Sequence, residues 1–164
     1  MRLVVADTGP INYLLLVDAI DLLPRLFTKI FLPEAVYREL AHVRAPMEVR
    51  AWSANVPDWV EIRSDPEYTS KDAAEIALDE GERAAIALAA AINADLILMD
   101  DRAGAAFAYR RGFTVTGTLG VLDLAARRGL VDLARVFERL RGTNFRYRPE
   151  VMEALLTQHS QKER

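Results

Sequence analysis

Short apolar runs that end in an acid or a turn, each followed by a helical pattern, constrain the fold of this chain most strongly. Residues 3–6 and 96–99 are continuous apolar runs, which is typical of strands buried on both faces of a parallel sheet, and the second of these strands is predicted over residues 94–99. Further strands are predicted at residues 30–32 and 113–115, and at residues 60–62, where flanking prolines favour a sheet edge. Because helical patterns separate these strands, the sequence predicts one α/β domain with right-handed crossovers and helices on both sheet faces.

The helical spacing of apolar residues predicts the elements between and after the strands. The predicted helices cover residues 10–17, 20–27, 34–43, 46–52, 70–93 with a break at Gly81, 103–111, 119–128, 131–141 and 149–158. Pro10 suits a first helical turn, Thr118 is predicted to cap the helix that follows it, and Gly129 to end that helix. The domain is expected to span residues 1–157, and residues 158–164 are expected to form a disordered tail.

Composition argues against several classes of site. The 164 residues include no cysteine and only two histidines, which disfavours disulfides, thiolate metal sites and histidine-based zinc or copper centres. No apolar run reaches the roughly 18–20 residues that span a bilayer, and the acid at position 7 comes too early for a secretory signal. A cytoplasmic protein with no membrane association is therefore expected.

Charge is distributed unevenly along the chain. Residues 1–101 carry 9 basic and 18 acidic side chains, whereas residues 102–148 carry 10 arginines and 3 acids. An acidic part next to an arginine-rich part is compatible with a cation site beside a phosphate-binding rim. Ordinary solvated helix faces would explain the same arginines, so this pattern leaves both interpretations open.

Acidic residues follow two of the predicted strands. Asp7 comes directly after the first strand, and Asp100 and Asp101 close the strand at residues 94–99. In an open parallel sheet, ligands bind outside the carboxyl ends of the strands, so these acids are placed to share a crevice. The competing interpretation is that Asp100 or Asp101 only caps the next helix.

Two helical acids are predicted to face the same crevice. Glu39 lies along the apolar stripe that contains Val36 and Val43, and Glu82 lies at the top of the apolar face of its helix. A carboxylate on an inward face needs a hydrogen-bonding partner or a cation. Glu82 also has the spacing of a capping box with Asp79, and the two roles are compatible.

Oxygen ligands without sulfur or imidazole suit Mg²⁺ or Mn²⁺. The candidate metal ligands are Asp7, Glu39, Glu82, Asp100 and Asp101. The candidate catalytic residues are Asp7, Glu39, Glu82 and Asp101. Thr8, Thr118 and Arg102 are candidate substrate contacts, although both threonines are equally plausible as helix caps.

Five segments of the chain resemble PIN domains. They are DTGPI at residues 7–11, PEAVYRE at 33–39, LDEGERAAI at 78–86, LMDDR at 98–102 and GTLGVL at 117–122. Together they resemble the PIN-like DUF3368 type, related to VapC toxins, over about residues 2–157. The segments around Gly81 and Gly117 carry the narrower part of this resemblance.

The resemblance implies a three-layer α/β/α sandwich with a mostly parallel central sheet and a Mg²⁺- or Mn²⁺-dependent endoribonuclease. It also implies a toxin of a toxin–antitoxin system, which forms a homodimer, acts on RNA and is held by a cognate antitoxin. It places Asp7, Glu39 and Glu82 as the first three acids and Asp101 or Asp100 as the fourth. Glu82 stands where VapC proteins usually have Asp, and Met99 stands where Thr or Ser usually precedes the fourth acid.

Two rival functions remain open at the level of sequence. The chain could be a catalytically inactive PIN-like module that binds RNA or protein. It could also be a metal-dependent phosphatase for small phosphoesters, although it has neither a Walker-type loop nor an Asp-x-Asp segment after the first strand.

Overall fold

The computed structural model describes residues 2–67 and 72–162, and in this part of the chain five strands alternate with ten helices. The strands are β1 (Val4–Ala6), β2 (Ile30–Pro33), β3 (Val60–Arg63), β4 (Leu96–Leu98) and β5 (Val115–Thr116). The helices are α1 (Thr8–Leu16), α2 (Leu22–Phe27), α3 (Glu34–Ala41), α4 (Met47–Ser53), α5 (Ala73–Ile76), α6 (Glu80–Ile92), α7 (Arg102–Arg110), α8 (Thr118–Arg127), α9 (Leu133–Arg141) and α10 (Pro149–Lys162).

The strands form one sheet in the order β3-β2-β1-β4-β5, and every neighbouring pair is parallel. The chain builds β2 and β3 on one side of β1 and then returns to build β4 and β5 on the other side. The winding direction therefore reverses between β1 and β4, where Ala6 pairs with Leu98. Crevices open at such a reversal beyond the carboxyl ends of the strands, which is where Asp7 and Asp100 lie.

Alternating strand residues face two separate cores, which accounts for the continuous apolar runs. On one face, Val4 and Ala6 pack with residues of α1–α4 and α8–α10. On the other face, Val5 and Ile97 pack with residues of α6 and α7. All four side chains are fully buried, and each buried Val or Ile stabilises the fold by about 1.5–3 kcal/mol. The predicted three-layer α/β/α arrangement is thus confirmed.

The break in the helical stretch before β4 lies at residues 77–79, so the prediction of a break at Gly81 is wrong. Asp79 is the N-cap of α6, and its carboxylate accepts a hydrogen bond of 2.8 Å from the backbone N–H of Glu82. The Glu82 carboxylate accepts one of 3.0 Å from the backbone N–H of Asp79. This capping box starts the helix before Gly81. Residues 70 and 71, also predicted as helical, lie outside the described residues.

Several other boundaries differ from the sequence prediction, among them the ends of α3 and α10 and the range of β5. Helix α3 ends at Ala41 because His42 is extended (φ −65°, ψ 147°), and Val43 is 77% exposed, so it does not belong to the buried stripe of α3. Strand β5 pairs through Val115 and Thr116 rather than residues 113–115. Helix α10 continues to Lys162, past the predicted start of a disordered tail at residue 158. No helix within residues 2–67 or 72–162 has the length and apolar character needed to cross a bilayer.

Candidate functional site

Asp7 lies at the junction of β1 and α1, where it is the most deeply buried acid of the predicted set. Its side chain is 7% exposed, and although Asp7 is the N-cap residue of α1, its carboxylate makes no capping hydrogen bond. Burial raises the pKa of Asp7 to about 8, partly opposed by a hydrogen bond from the Thr8 backbone. The negative charges of Asp79, Glu39 and Glu82 raise this pKa further, so all four carboxylates share one region, here called the acidic crevice.

Glu39 reaches the acidic crevice from α3 and is held by groups of two other helices. The Thr8 hydroxyl at the start of α1 donates a hydrogen bond to the Glu39 carboxylate. Burial raises the pKa of Glu39, whereas this hydrogen bond lowers it. Gly81 in α6 allows the close approach, because a Cβ atom there would lie 2.6 Å from Oε1 of Glu39. The inward direction predicted for Glu39 is thus observed, without Val43 as its neighbour on the stripe.

Glu82 combines the two roles that its sequence position suggested. It closes the capping box of α6 and is 8% exposed at the top of the buried face of that helix. Burial raises the pKa of Glu82 to about 7, and the backbone N–H of Asp79 partly opposes this. Repulsion from the carboxylates of Asp79 and Asp101 adds to the rise. Asp101 therefore lies close enough to the acidic crevice for its charge to affect the pKa of Glu82.

Asp100 and Asp101 are adjacent in sequence but have different structural roles. Asp101 is exposed and caps α7 through a 2.8 Å hydrogen bond from the backbone N–H of Gly104. The half-buried Asp100 accepts two hydrogen bonds of 2.7 Å, from the backbone N–H and the hydroxyl of Thr118. Burial raises the pKa of Asp100, and these bonds lower it. A Cβ atom at Gly117 would lie 2.5 Å from Oδ1 of Asp100.

The prediction that Thr118 caps α8 is wrong. Gly117 occupies the N-cap position, and Thr118 is the first residue of the helix. Its fully buried side chain is turned to Asp100 instead. Thr8 likewise uses its hydroxyl to hold an acid, so both threonines position carboxylates in this structure.

The acids of the site have no basic partner in the part of the chain that the structure describes. No Lys, Arg or His there forms an ion pair with Asp7, Glu39, Glu82 or Asp100. The neighbouring Arg38 pairs with Asp65 at 3.4 Å and with the exposed Glu80 at 3.0 Å. The carboxylates are therefore balanced only by hydrogen-bond donors.

The donor chemistry of the site fits a divalent cation, but the arrangement does not form a complete ligand set. Within residues 2–67 and 72–162, no three or more His, Asp or Glu side chains are grouped so that they could hold a metal ion. Glu39, Glu82, Asp100 and Asp101 instead accept hydrogen bonds from the Thr8 hydroxyl, the Asp79 backbone, Thr118 and the Gly104 backbone, respectively. All candidate metal ligands are carboxylate oxygens, however. The pKa values of Asp7 and Glu82 are raised by burial and by neighbouring negative charge, and a bound cation would offset both effects.

Beside Asp100 lies a groove that the sequence interpretation missed. This cavity has a volume of about 580 Å³ and includes Met99 and Asp100 on one side and residues 145–148 on the other. We call it the basic groove, after three arginines in its lining: Arg102, Arg146 and Arg148. Arg102 was predicted as a substrate contact, whereas residues 145–148 were not singled out. The alternation Phe-Arg-Tyr-Arg at these positions was the signal that could have identified them.

Three of the seven other arginines in residues 102–148 form ion pairs within the described part of the chain. Arg111 contacts Glu75 at 3.4 Å, Arg127 contacts Asp123 at 3.1 Å, and Arg141 contacts Glu138 at 3.4 Å. Fewer arginines are therefore left to bind phosphate than the sequence suggested.

The all-parallel strand order and the helices on both faces define the class of the protein, a three-layer α/β/α fold. The chain belongs to the PIN-domain family DUF3368, whose model matches residues 3–161. This match confirms the resemblance to PIN domains of the DUF3368 type. A search of curated proteins finds no match. PIN domains are generally nucleases that use divalent metal ions.

Proposed function

We propose that the protein is a Mg²⁺- or Mn²⁺-dependent endoribonuclease that hydrolyses RNA phosphodiester bonds. The observation that carries this proposal is the convergence of Asp7, Glu39 and Glu82 from three distant segments at the switch point of the sheet. These carboxylates repel one another and have no basic partner among the described residues. Buried unpaired charge destabilises a fold, so these acids do not serve stability, and a role in binding a cation explains them better.

Each residue of the site has a defined task in this proposal. Asp7, Glu39 and Glu82, together with Asp100 or Asp101, would hold the ion. Thr8 orients the Glu39 carboxylate, and Thr118 orients Asp100. A bound divalent ion supplies an activated water nucleophile and offsets negative charge at the phosphate. In the hydrolysis, the water oxygen bonds to phosphorus and one P–O ester bond breaks, which leaves a phosphate end and a hydroxyl end.

The test is cleavage of labelled structured and single-stranded RNAs in Mn²⁺, in Mg²⁺ and in EDTA. We expect wild type to cleave only with metal, and Asp7→Asn to lose at least two orders of magnitude in rate. Asp58→Asn is the matched control, because Asp58 is exposed and lies outside the acidic crevice. Full activity of a folded Asp7→Asn protein would refute the assignment.

A second candidate is a PIN-fold module that binds RNA or protein without cleaving it. No three acidic or histidine side chains within the described residues are grouped so that they could hold a metal ion, which favours this alternative. Thermal unfolding separates the two, because an ion that binds only the folded state raises the melting temperature with its concentration. If Mn²⁺ raises the melting temperature of wild type but not of Glu82→Gln, the result supports the enzyme. If Mn²⁺ leaves the melting temperature of wild type unchanged, the result supports the binding module.

By its resemblance to VapC toxins, we further propose that the nuclease is a toxin with a cognate antitoxin and that it acts as a homodimer. Expression of wild type is then expected to arrest cell growth, whereas Asp7→Asn is tolerated. Light scattering of the purified protein measures the oligomeric state. Normal growth at wild-type levels of active nuclease would contradict the toxin role.

A further inference from the structure

The basic groove combines two features that a nucleic-acid strand requires. It lies at the same edge of the sheet as the acidic crevice and shares Asp100 with the candidate metal ligands. Its volume of about 580 Å³ is in the range of roughly 300–1,000 Å³ that is usual for ligand sites. A chain bound in the groove would therefore lie beside the acids.

The floor of the groove includes a pair of aromatic rings fixed by the fold. The Phe145 and Tyr147 rings are nearly parallel, at 12°, with centroids 6.4 Å apart. Tyr13 of α1 contacts Phe145 edge-on at a centroid distance of 4.9 Å, and its hydroxyl donates a hydrogen bond to Asn144. Both groove rings pack partly against the core and are half-buried, so each also keeps accessible surface. Such rings are suitable platforms for base stacking.

The three arginines of the groove are exposed and have no acidic partner in the described part of the chain. None of the ion pairs there includes Arg102, Arg146 or Arg148. This differs from Arg111, Arg127 and Arg141, which are paired. Guanidinium groups without partners next to aromatic faces match the alternation of phosphates and bases along a strand.

We propose that the basic groove binds a single-stranded RNA segment next to the cleavage site, with a base stacked on Tyr147 and Phe145 and backbone phosphates held by Arg102, Arg146 and Arg148. This inference rests on the proposed nuclease function, whose substrate it specifies. Single strands are favoured over duplexes because the base faces of a duplex are already covered by their neighbours. An acidic protein segment could match the arginines, but it would not use the flat aromatic faces.

Binding is measured by fluorescence anisotropy with a labelled single-stranded RNA of about ten nucleotides, in EDTA so that no cleavage occurs. We expect Tyr147→Leu to weaken binding roughly tenfold and Tyr147→Phe to retain it, because stacking requires the ring and not the hydroxyl. Tyr109→Leu is the matched control, since Tyr109 is 76% exposed on α7 and outside the groove. A duplex of the same sequence is expected to bind more weakly than the single strand.

The salt dependence of the same binding tests the arginines. Arg146→Gln is expected to reduce the slope of log affinity against log salt by about 0.7, the value for one phosphate contact of a single strand. Arg135→Gln, on the exposed side of α9 and outside the groove, is expected to leave the slope unchanged.

The outcomes separate this inference from the nuclease proposal. If wild type cleaves RNA but folded Tyr147→Leu binds and cleaves as wild type does, the groove assignment is wrong and the nuclease proposal stands. If wild type binds single strands through Tyr147 but cleaves nothing, the groove is correct and the nuclease proposal fails. If wild type binds no RNA in EDTA, or if Tyr109→Leu weakens binding as much as Tyr147→Leu, the groove proposal is overturned, and a protein ligand becomes the better explanation.

Discussion

The acidic crevice and the basic groove lie at one edge of the sheet but are built in opposite ways. The crevice draws its carboxylates from β1–α1, α3 and α6, and hydrogen bonds hold Glu39 and Glu82 in place. The groove takes most of its ligand-binding groups from one short segment, and its arginines have no partners among the described residues. The carboxylates of the crevice thus affect the folding energetics of the domain, whereas the arginines of the groove contribute little to them.

The largest expected effect is on the pH dependence of stability in EDTA. The Asp7 carboxyl of the unfolded chain releases its proton near pH 3.9, and that of the folded protein near pH 8. Between these values the folded state binds more protons, so its stability falls as pH rises and levels off above about 8. Asp7→Asn removes this loss, and we expect it to exceed wild type at pH 9 by a few kcal/mol.

Urea unfolding of both proteins at pH 4 and pH 9 measures this effect. At pH 4 the two are expected to differ little, because Asp7 is protonated in the folded protein. The stability of Asp7→Asn is still expected to fall somewhat as pH rises, because Glu82 also has a raised pKa. An equal loss of stability with pH in both proteins would mean that burial of the ionised Asp7 carboxylate does not destabilise the fold.

The next effect concerns the packing of α6 against α3. Gly81→Ala places a Cβ atom 2.6 Å from Oε1 of Glu39, so the carboxylate must shift, which disturbs its hydrogen bond from Thr8. We expect a loss of about 1–3 kcal/mol in the free energy of unfolding. Gly142→Ala is the comparison, because its φ is −75° and its added Cβ lies 3.2 Å from the Arg139 carbonyl oxygen, which requires a shift of only a few tenths of an ångström. If Gly81→Ala unfolds at the wild-type urea midpoint, the contact is not tight.

A smaller effect is expected at the helix that follows β4. Asp101→Ala removes the N-cap of α7 and leaves the backbone N–H of Gly104 without its acceptor. The expected loss is about 1 kcal/mol, which calorimetry can measure. Asp101→Asn keeps a capping oxygen and should retain most of the stability. If both variants are equally destabilised, the charge of Asp101 rather than the cap is what matters.

The smallest effect is expected in the basic groove. Arg148→Gln should change the free energy of unfolding by less than about 0.5 kcal/mol, because the side chain is exposed and has no acidic partner in the described chain. Arg111→Gln should cost more, since it removes a partner of the buried Glu75. Chemical denaturation of both variants checks the difference. A large loss for Arg148→Gln would remove the contrast between groove and crevice.

The same contrast explains what the sequence could predict. The centre of the sheet was predictable because β1, β2 and β4 are apolar on both faces, as Val4 and Val5 illustrate. Asp7 was predictable because it follows such a strand, and Glu39 because it points along an apolar stripe. These features depend on periodicity and on the ends of elements, which a single sequence reveals directly.

Other features depend on contacts between segments far apart in sequence. Thr118 has the local signature of a helix cap, yet its hydroxyl binds Asp100, eighteen residues earlier. Gly81 looks like a helix breaker, but the Asp79–Glu82 box starts α6 before it. The groove was missed because it forms only in the folded chain. Phe145, Tyr147 and Arg148, which precede α10, line one cavity with Asp100, which follows β4.

The close approach of Gly117 to Asp100 has a consequence for how such a site can change over time. A side chain at position 117 would occupy the space of the carboxylate, since even a Cβ atom would lie 2.5 Å from it. The glycine is therefore needed only while the acid is present, and the two positions form a linked pair. A lineage that gave up Asp100 would be released from keeping the glycine, so a larger residue there would mark descendants whose acidic site has been abandoned.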